Sequence, residues 1–164
     1  MPNLTELNEL DREAFTRAVG SVFEHSPWIA QRTWNQRPFA SAQALREALC
    51  ATLKAASNAE QLSLIRAHPD LVTRAVLTSE SEDEQASAGL NNISPEEARQ
   101  FRKYNAQYRE RFGFPFVICA RLNKKEAILR AFPERLQNDL DGEIKTALDE
   151  ICKIAELRLL DLIR

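Results

Sequence analysis

"SPEEARQFRKYNAQYRERFG", residues 94–113, sets the fold class of this chain. Ser94 offers a capping hydroxyl, and Pro95 suits the first helical position, where its missing N–H has no intrahelical partner to serve. Phe101, Tyr104, Tyr108 and Phe112 then recur in steps of three, four and four, an apolar stripe on a 3.6-residue period, and Gly113 supplies a stop. So regular a stripe predicts a long amphipathic helix lying against a core.

The same pattern repeats along the chain. Ser41 precedes "AQALREALCATLKAA", in which Leu45, Leu49 and Leu53 recur every four residues; Asn58 precedes "AEQLSLIRA"; Ser26 and Pro27 form a further start; and a last helix begins at about Gly142. Glycine occurs only four times, and no run alternates β-branched residues at period two. The chain therefore reads as all-α, a single domain over 1–164, folded as a compact bundle of about seven helices with no sheet. A chain of this mass buries about two thirds of its extended surface, enough for one core.

Composition narrows the function classes. A net charge of −2 and no basic stripe leave nothing to displace counterions from a phosphate backbone, so no nucleic-acid partner is expected. The opening "MPNLTELNELDREAF" is polar and acidic, and no stretch approaches a membrane span, so the chain is expected to be soluble and cytoplasmic, with no membrane partner. Its ending, "DLIR", differs from a peroxisomal signal. Cysteines 50, 119 and 152 are odd in number, far apart in sequence and outside any C-x-x-C pair, which fits reduced, mostly buried thiols. With only His25 and His68 in the chain, and no second histidine four residues from either, no metal site is expected.

Two places break the helical pattern. "FGFPFVICA", residues 112–120, is apolar but interrupted by Gly and Pro, and an extended segment inside an all-helical protein leaves peptide groups with no ladder to join. They need partners from elsewhere, a ligand among the candidates. In the last helix the seam runs Ile144, Leu148, Ile151, Ala155, Arg158 and Leu162, which puts a guanidinium on the core face. Burying it requires an acceptor, so either an internal ion pair or a ligand contact is implied. On the seam alone, Arg158→Leu is expected to complete the apolar face and raise the melting temperature.

Between these breaks, "LTSESEDEQASAGL" (77–90) places Ser81, Glu84 and Gln85 at i, i+3 and i+4, one face of a helix if the run is helical, with Glu82 and Asp83 pointing elsewhere. The face is either solvated or a polar constellation. His68, in "LIRAHPDL" (64–71), has two readings of its own: a ring that caps carbonyls where the helix stops before Pro69, or an imidazole fixed for proton transfer near neutral pH. His25, in "FEHSPW", reads as a surface residue, and no serine or cysteine nucleophile motif accompanies either histidine.

Taken in order, "LIRAHPDL", "LTSESEDEQASAGLNNISPEE", "YNAQYRERFGFPFVICARLNKKEAIL" and "IAELRLLDL" resemble the 2-oxo-4-hydroxy-4-carboxy-5-ureidoimidazoline (OHCU) decarboxylase family, with the early "SPW" and "RPF" elements included. The resemblance implies an all-helical, cofactor-free carboxy-lyase that releases CO₂ and forms (S)-allantoin in urate breakdown. Carried over by motif, His68 is the proton-transfer residue and Pro69 lies against the substrate. Ser81, Glu84 and Gln85 are pocket groups, with Glu84 assisting catalysis; Phe116, Val117, Ile118, Cys119 and Ala120 present their backbone, and Arg158 binds the substrate. The partner implied is the small ureidoimidazoline, with homodimer formation left open. Two alternatives to this reading are a helical ligand-binding or protein-interaction module, and a cofactor-free isomerase or hydrolase acting on another ureide.

Overall fold

A computed structural model of the chain describes residues 1–73 and 77–163. Among them are nine α-helices, three 3₁₀ turns and no strand. The count exceeds the expected seven because the amino-terminal third is cut into helices of six to eight residues, too short for periodicity to separate. None of the described helices is long and apolar enough to cross a membrane. The chain divides into two units, one formed by Met1–Ala67 with the chain from Cys152 onward, the other by His68–Ile151.

The first unit holds α1 (Leu4–Glu9), α2 (Arg12–Val19), α3 (Trp28–Thr33), α4 (Ala42–Ala55), α5 (Asn58–Ala67) and the later turns of α9 (Leu140–Leu162). Side-chain caps start most of these helices. Asn3 and Glu6 cap α1 reciprocally, Asp11 accepts from Ala14 N–H, and Ser41 accepts from Ala44 N–H. Two starts differ from the sequence reading. The α5 cap is Ser57 rather than Asn58: its Oγ accepts from Glu60 N–H, while the Glu60 carboxylate accepts from Ser57 N–H, each at 3.2 Å. Ser26 does not cap α3, because its hydroxyl donates to the Glu24 carbonyl and Pro27 takes the cap position.

The core of this unit is the expected leucine stripe of α4, Leu45, Leu49 and Leu53, together with Phe15, Ile29, Leu64 and Ile65, all at most 1% exposed. The "RPF" element is tied to the amino terminus: the Arg37 guanidinium donates to the Asn8 and Leu10 carbonyls and lies 4.0 Å over the Trp34 ring.

The second unit holds α6 (Ser79–Ser87), α7 (Pro95–Phe112), a 3₁₀ turn at Ala120–Leu122, α8 (Lys125–Arg135) and the first turns of α9. Its α7 follows the sequence reading closely, with Ser94 and Glu97 forming a reciprocal cap and Gly113 closing the helix at φ 77°. Phe101, Tyr108 and Phe112 are buried, whereas Tyr104 is half-buried and stacks on Phe132. Phe114, Phe116 and Phe132 complete an aromatic core in which Phe116 stacks on Phe132 with ring centroids 3.9 Å apart. Such contacts add to the large apolar area that each ring removes from water. Helix α9 begins two residues before Gly142 because the Asp139 carboxylate accepts from Gly142 N–H at 2.7 Å.

The thiols depart from expectation. Only Cys119 is buried; Cys50 and Cys152 are half-buried.

Candidate functional site

His68 directly follows α5 and opens the second unit. The helix stops there because the residue before proline avoids the α region. The His68 ring is buried, with 7% of the residue exposed, and Pro69 beside it is half-buried. Both flanking helices grip the loop that follows. Arg109 Nε of α7 donates to both Asp70 carboxylate oxygens, at 3.0 and 3.1 Å, and Asn105 Nδ2 donates to the Leu71 carbonyl at 2.9 Å. From α6, Gln85 Oε1 accepts the Val72 N–H at 3.2 Å. Val72 sits at φ 56°, a strained conformation for a β-branched residue, and these anchors hold it there.

The run 79–87 is helical, and its polar face points inward. Thr78 caps α6 by accepting from Ser81 N–H; Ser81, Glu84 and Gln85 are buried, while Glu82 and Asp83 are exposed. A solvated face is thereby excluded for these three residues. The far end of α6 is fastened to the start of α8, where Lys125 N–H donates to the Ala88 carbonyl and Lys124 Nζ to the Ser87 carbonyl.

Next to α6 runs the extended segment. Phe114 to Cys119 form no regular element, and Phe116, Val117, Ile118, Cys119 and Ala120 are all buried. Glu84 approaches this segment. Burial pushes the Cys119 thiol above its ordinary range, and the nearby carboxylates of Glu150 and Glu84 raise it further.

Side chains satisfy part of the segment's backbone. Arg135 Nη1 donates to the Val117 carbonyl at 2.6 Å, Cys119 N–H donates to Glu150 Oε2 at 3.4 Å, and Asn123 Nδ2 donates to the Cys119 carbonyl at 2.9 Å. The Phe116 and Ile118 peptide groups and the Val117 N–H make no hydrogen bond among the described residues. Buried peptide groups of this kind are rarely left unpaired, so a stretch that retains several can receive a ligand bearing both donors and acceptors.

Sequence reasoning missed what holds this segment open. Arg135, on α8, donates from Nε to Glu143 Oε1 at 2.5 Å and lies 4.1 Å over the Phe116 ring. Glu143 is fully buried and also accepts from the Tyr108 hydroxyl at 2.6 Å and from Asn138 Nδ2 at 3.0 Å. Burial foremost, with Glu143 assisting, keeps the Tyr108 phenol protonated far above its ordinary range, so it serves as a donor. A signal was present: Glu143, Ala147, Ile151, Ala155 and Arg158 step along α9 by four, four, four and three, which puts Glu143 on the same core face that singled out Arg158.

His68, Pro69, Ser81, Glu84, Gln85 and the 116–120 backbone all belong to the second unit; Arg158 belongs to the first. There the Arg158 Nη1 donates to Glu24 Oε2 at 2.9 Å and to the Ser21 carbonyl at 3.3 Å. Arg158 and Glu24 are almost wholly buried, so of the two acceptors the seam position left open the internal carboxylate is present.

Residues 8–160 match the OHCU decarboxylase family. A 2-oxo-4-hydroxy-4-carboxy-5-ureidoimidazoline decarboxylase of Halalkalicoccus jeotgali is 44% identical over 157 residues, which are 96% of this chain and 89% of that protein. Among solved structures, (S)-allantoin synthase matches all of this chain with a TM-score of 0.81 at 25% identity; the match covers 54% of that longer chain. An OHCU decarboxylase solved in the presence of (S)-allantoin matches 93% of this chain and 98% of its own, with a TM-score of 0.72 at 25% identity.

Proposed function

This chain belongs to the OHCU decarboxylase family, and from that premise we propose that it carries out the decarboxylation of 2-oxo-4-hydroxy-4-carboxy-5-ureidoimidazoline to (S)-allantoin, in urate breakdown, with His68 and Glu84 as its catalytic residues.

The chemistry starts in the substrate. The carbon that loses CO₂ also carries a hydroxyl, and its ring neighbour, which bears the ureido group, is an imine carbon. The electron pair left by CO₂ flows towards that C=N bond, so the substrate supplies the electron sink for which many decarboxylases use a cofactor. The enol formed then becomes the ring carbonyl, and a proton added to one face of the ureido-bearing carbon sets the product's handedness. The protein is left with orientation, desolvation of the carboxylate and control of that proton.

The observation that carries the site assignment is the buried backbone of residues 116–118, with open peptide groups, beside an inward-facing carboxylate. The ring and the ureido arm offer N–H and C=O groups that complement such a strip. Glu84 accepts from the substrate hydroxyl or ureido N–H and holds that end near the imidazole, while His68 exchanges the proton. Ser81 adds a hydroxyl. Gln85 has its oxygen committed to Val72, so it meets the substrate through its amide N–H groups. Pro69 packs against the ring. Arg158 takes its substrate-binding role by motif, and its pairing with Glu24 fixes the guanidinium.

The test is to supply freshly generated OHCU and follow CO₂ release together with the circular dichroism of the allantoin formed. Accelerated CO₂ release with a single enantiomer supports the proposal; release at the spontaneous rate with racemic product overturns it.

A further inference from the structure

In the first unit, α4 and α9 cross-link in antiparallel register. Arg46 Nη1 reaches Glu156 Oε2 at 3.2 Å. One turn further along α4 and one turn back along α9 stand Cys50 and Cys152, whose side chains are hydrogen-bonded to each other. Two successive rungs at i+4 and j−4 bring the two thiols together on facing turns of α4 and α9. Both cysteines are half-buried and so within reach of a small solute, whereas Cys119 is sealed.

The surroundings favour a thiolate at Cys50. The hydrogen bond with Cys152 foremost, and then the Arg46 and Lys54 cations one turn to either side, hold its thiol below the ordinary range, against the opposing effects of burial and Glu156. A thiolate-prone, accessible cysteine with a second thiol against it is the arrangement from which a disulfide forms.

We propose that Cys50 and Cys152 are a redox-active dithiol, which hydrogen peroxide converts to a reversible disulfide tying α4 to α9. The Cys50 thiolate attacks one peroxide oxygen, the O–O bond breaks, and the hydroxide released takes up the proton lost by Cys50 to become water. Cys152 sulfur then attacks the Cys50 sulfenic sulfur. The S–O bond breaks, the S–S bond forms, and the oxygen leaves as water with the Cys152 proton. Two electrons pass from the sulfurs to the peroxide, and an exogenous dithiol returns them. The crosslink sits on the stretch of α9 leading to Arg158, so oxidation stiffens the unit that holds the Arg158 to Glu24 pair.

The experiment treats the reduced full chain with hydrogen peroxide and maps it by non-reducing proteolysis and mass spectrometry. The expected product is a single Cys50–Cys152 linked peptide, about 2 Da lighter than the two thiol peptides together. A rise in melting temperature of about 5–10 °C should accompany it, and dithiothreitol should reverse both. Cys152→Ser should strand Cys50 as a sulfenic acid that dimedone captures, while Cys50→Ser should give no such adduct at Cys152. The proposal is overturned if wild-type Cys50 and Cys152 remain alkylable after peroxide, or are oxidised singly without a crosslink. The wild-type map decides the matter even if either serine variant fails to fold.

Discussion

Arg135 donates to the Val117 carbonyl at 2.6 Å while its Nε donates to the buried Glu143 at 2.5 Å, so one guanidinium links α9 to the extended segment beside Glu84. The segment has no strand to pair with, and this arginine replaces part of the missing ladder. On the proposed site assignment Arg135 is a positioning residue, acting on substrate through the Val117 backbone it holds.

Arg135→Met removes the partner of a buried carboxylate and should destabilise the fold by about 3–5 kcal/mol. Arg135→Lys keeps the charge but loses the fork that serves Glu143 and Val117 together, so the fold should survive with KM raised more than kcat is lowered. Urea unfolding and steady-state kinetics on the two variants check this. Wild-type KM in Arg135→Lys would show that the Val117 contact does not shape the site.

Glu84 and Glu82 lie two residues apart on α6, one buried and one exposed. Glu84→Gln preserves size but removes the charge, and turnover should fall by about 10². Glu82→Gln should remain within about twofold, as surface exchanges usually do. Spontaneous decay gives racemic allantoin, so the crippled variant should also lose optical purity. Equal rates and equal optical purity for the two would remove the carboxylate from the site.

The buried pair in the first unit reverses one expectation. The seam alone points to Arg158→Leu as stabilising, but Glu24 is 3% exposed and would lose its guanidinium, at a cost of about 3–5 kcal/mol. The expected result is a lower melting temperature for Arg158→Leu, with much of the loss recovered on adding Glu24→Leu. A higher melting temperature for the single variant would mean that the pair adds nothing. Arg158→Lys keeps a charge for Glu24, so a rise in its KM would report the guanidinium's substrate contact.

Much of this was readable from sequence where the signals are local. Helix α7 combines a cap, an aromatic stripe and a closing glycine in twenty consecutive residues, and helical spacing puts Ser81, Glu84 and Gln85 on one face of α6; that this face is buried depends on packing against other elements, which spacing alone does not reveal. Arg135 and Glu143 were not read because their contact bridges the turn between α8 and α9, and neither residue is unusual by itself. Glu24 was missed for the same reason: it pairs with a residue 134 positions away. The meeting of Cys50 and Cys152 likewise depends on the packing of α4 against α9, which no spacing along one helix reveals.

Acid should loosen the start of the helix that leads to His68. The Arg32 hydrogen bond foremost, and then the Ser57 backbone N–H, pull the Glu60 carboxyl from its ordinary 4.5 down to about 2. Because the unfolded chain takes up that proton first, the stabilisation is fully present above about pH 4.5 and fades as pH falls towards about 2. Both partners are partly exposed and the effect is screened by salt, so it is best sought at low ionic strength. Urea midpoints at several pH values should fall more steeply for the wild type than for Glu60→Gln across that window. Parallel curves would show that the pairing does not contribute.

The most direct test of the catalytic assignment is His68→Asn, assayed on freshly generated OHCU beside the wild type, with thermal melts on both. Asparagine keeps a polar group of similar reach and removes the titrating imidazole. The melting temperature should be unchanged, turnover should be lower by about 10² or more, and the allantoin should drift from one enantiomer towards a mixture. A folded His68→Asn protein with near wild-type turnover and optically pure product would contradict it.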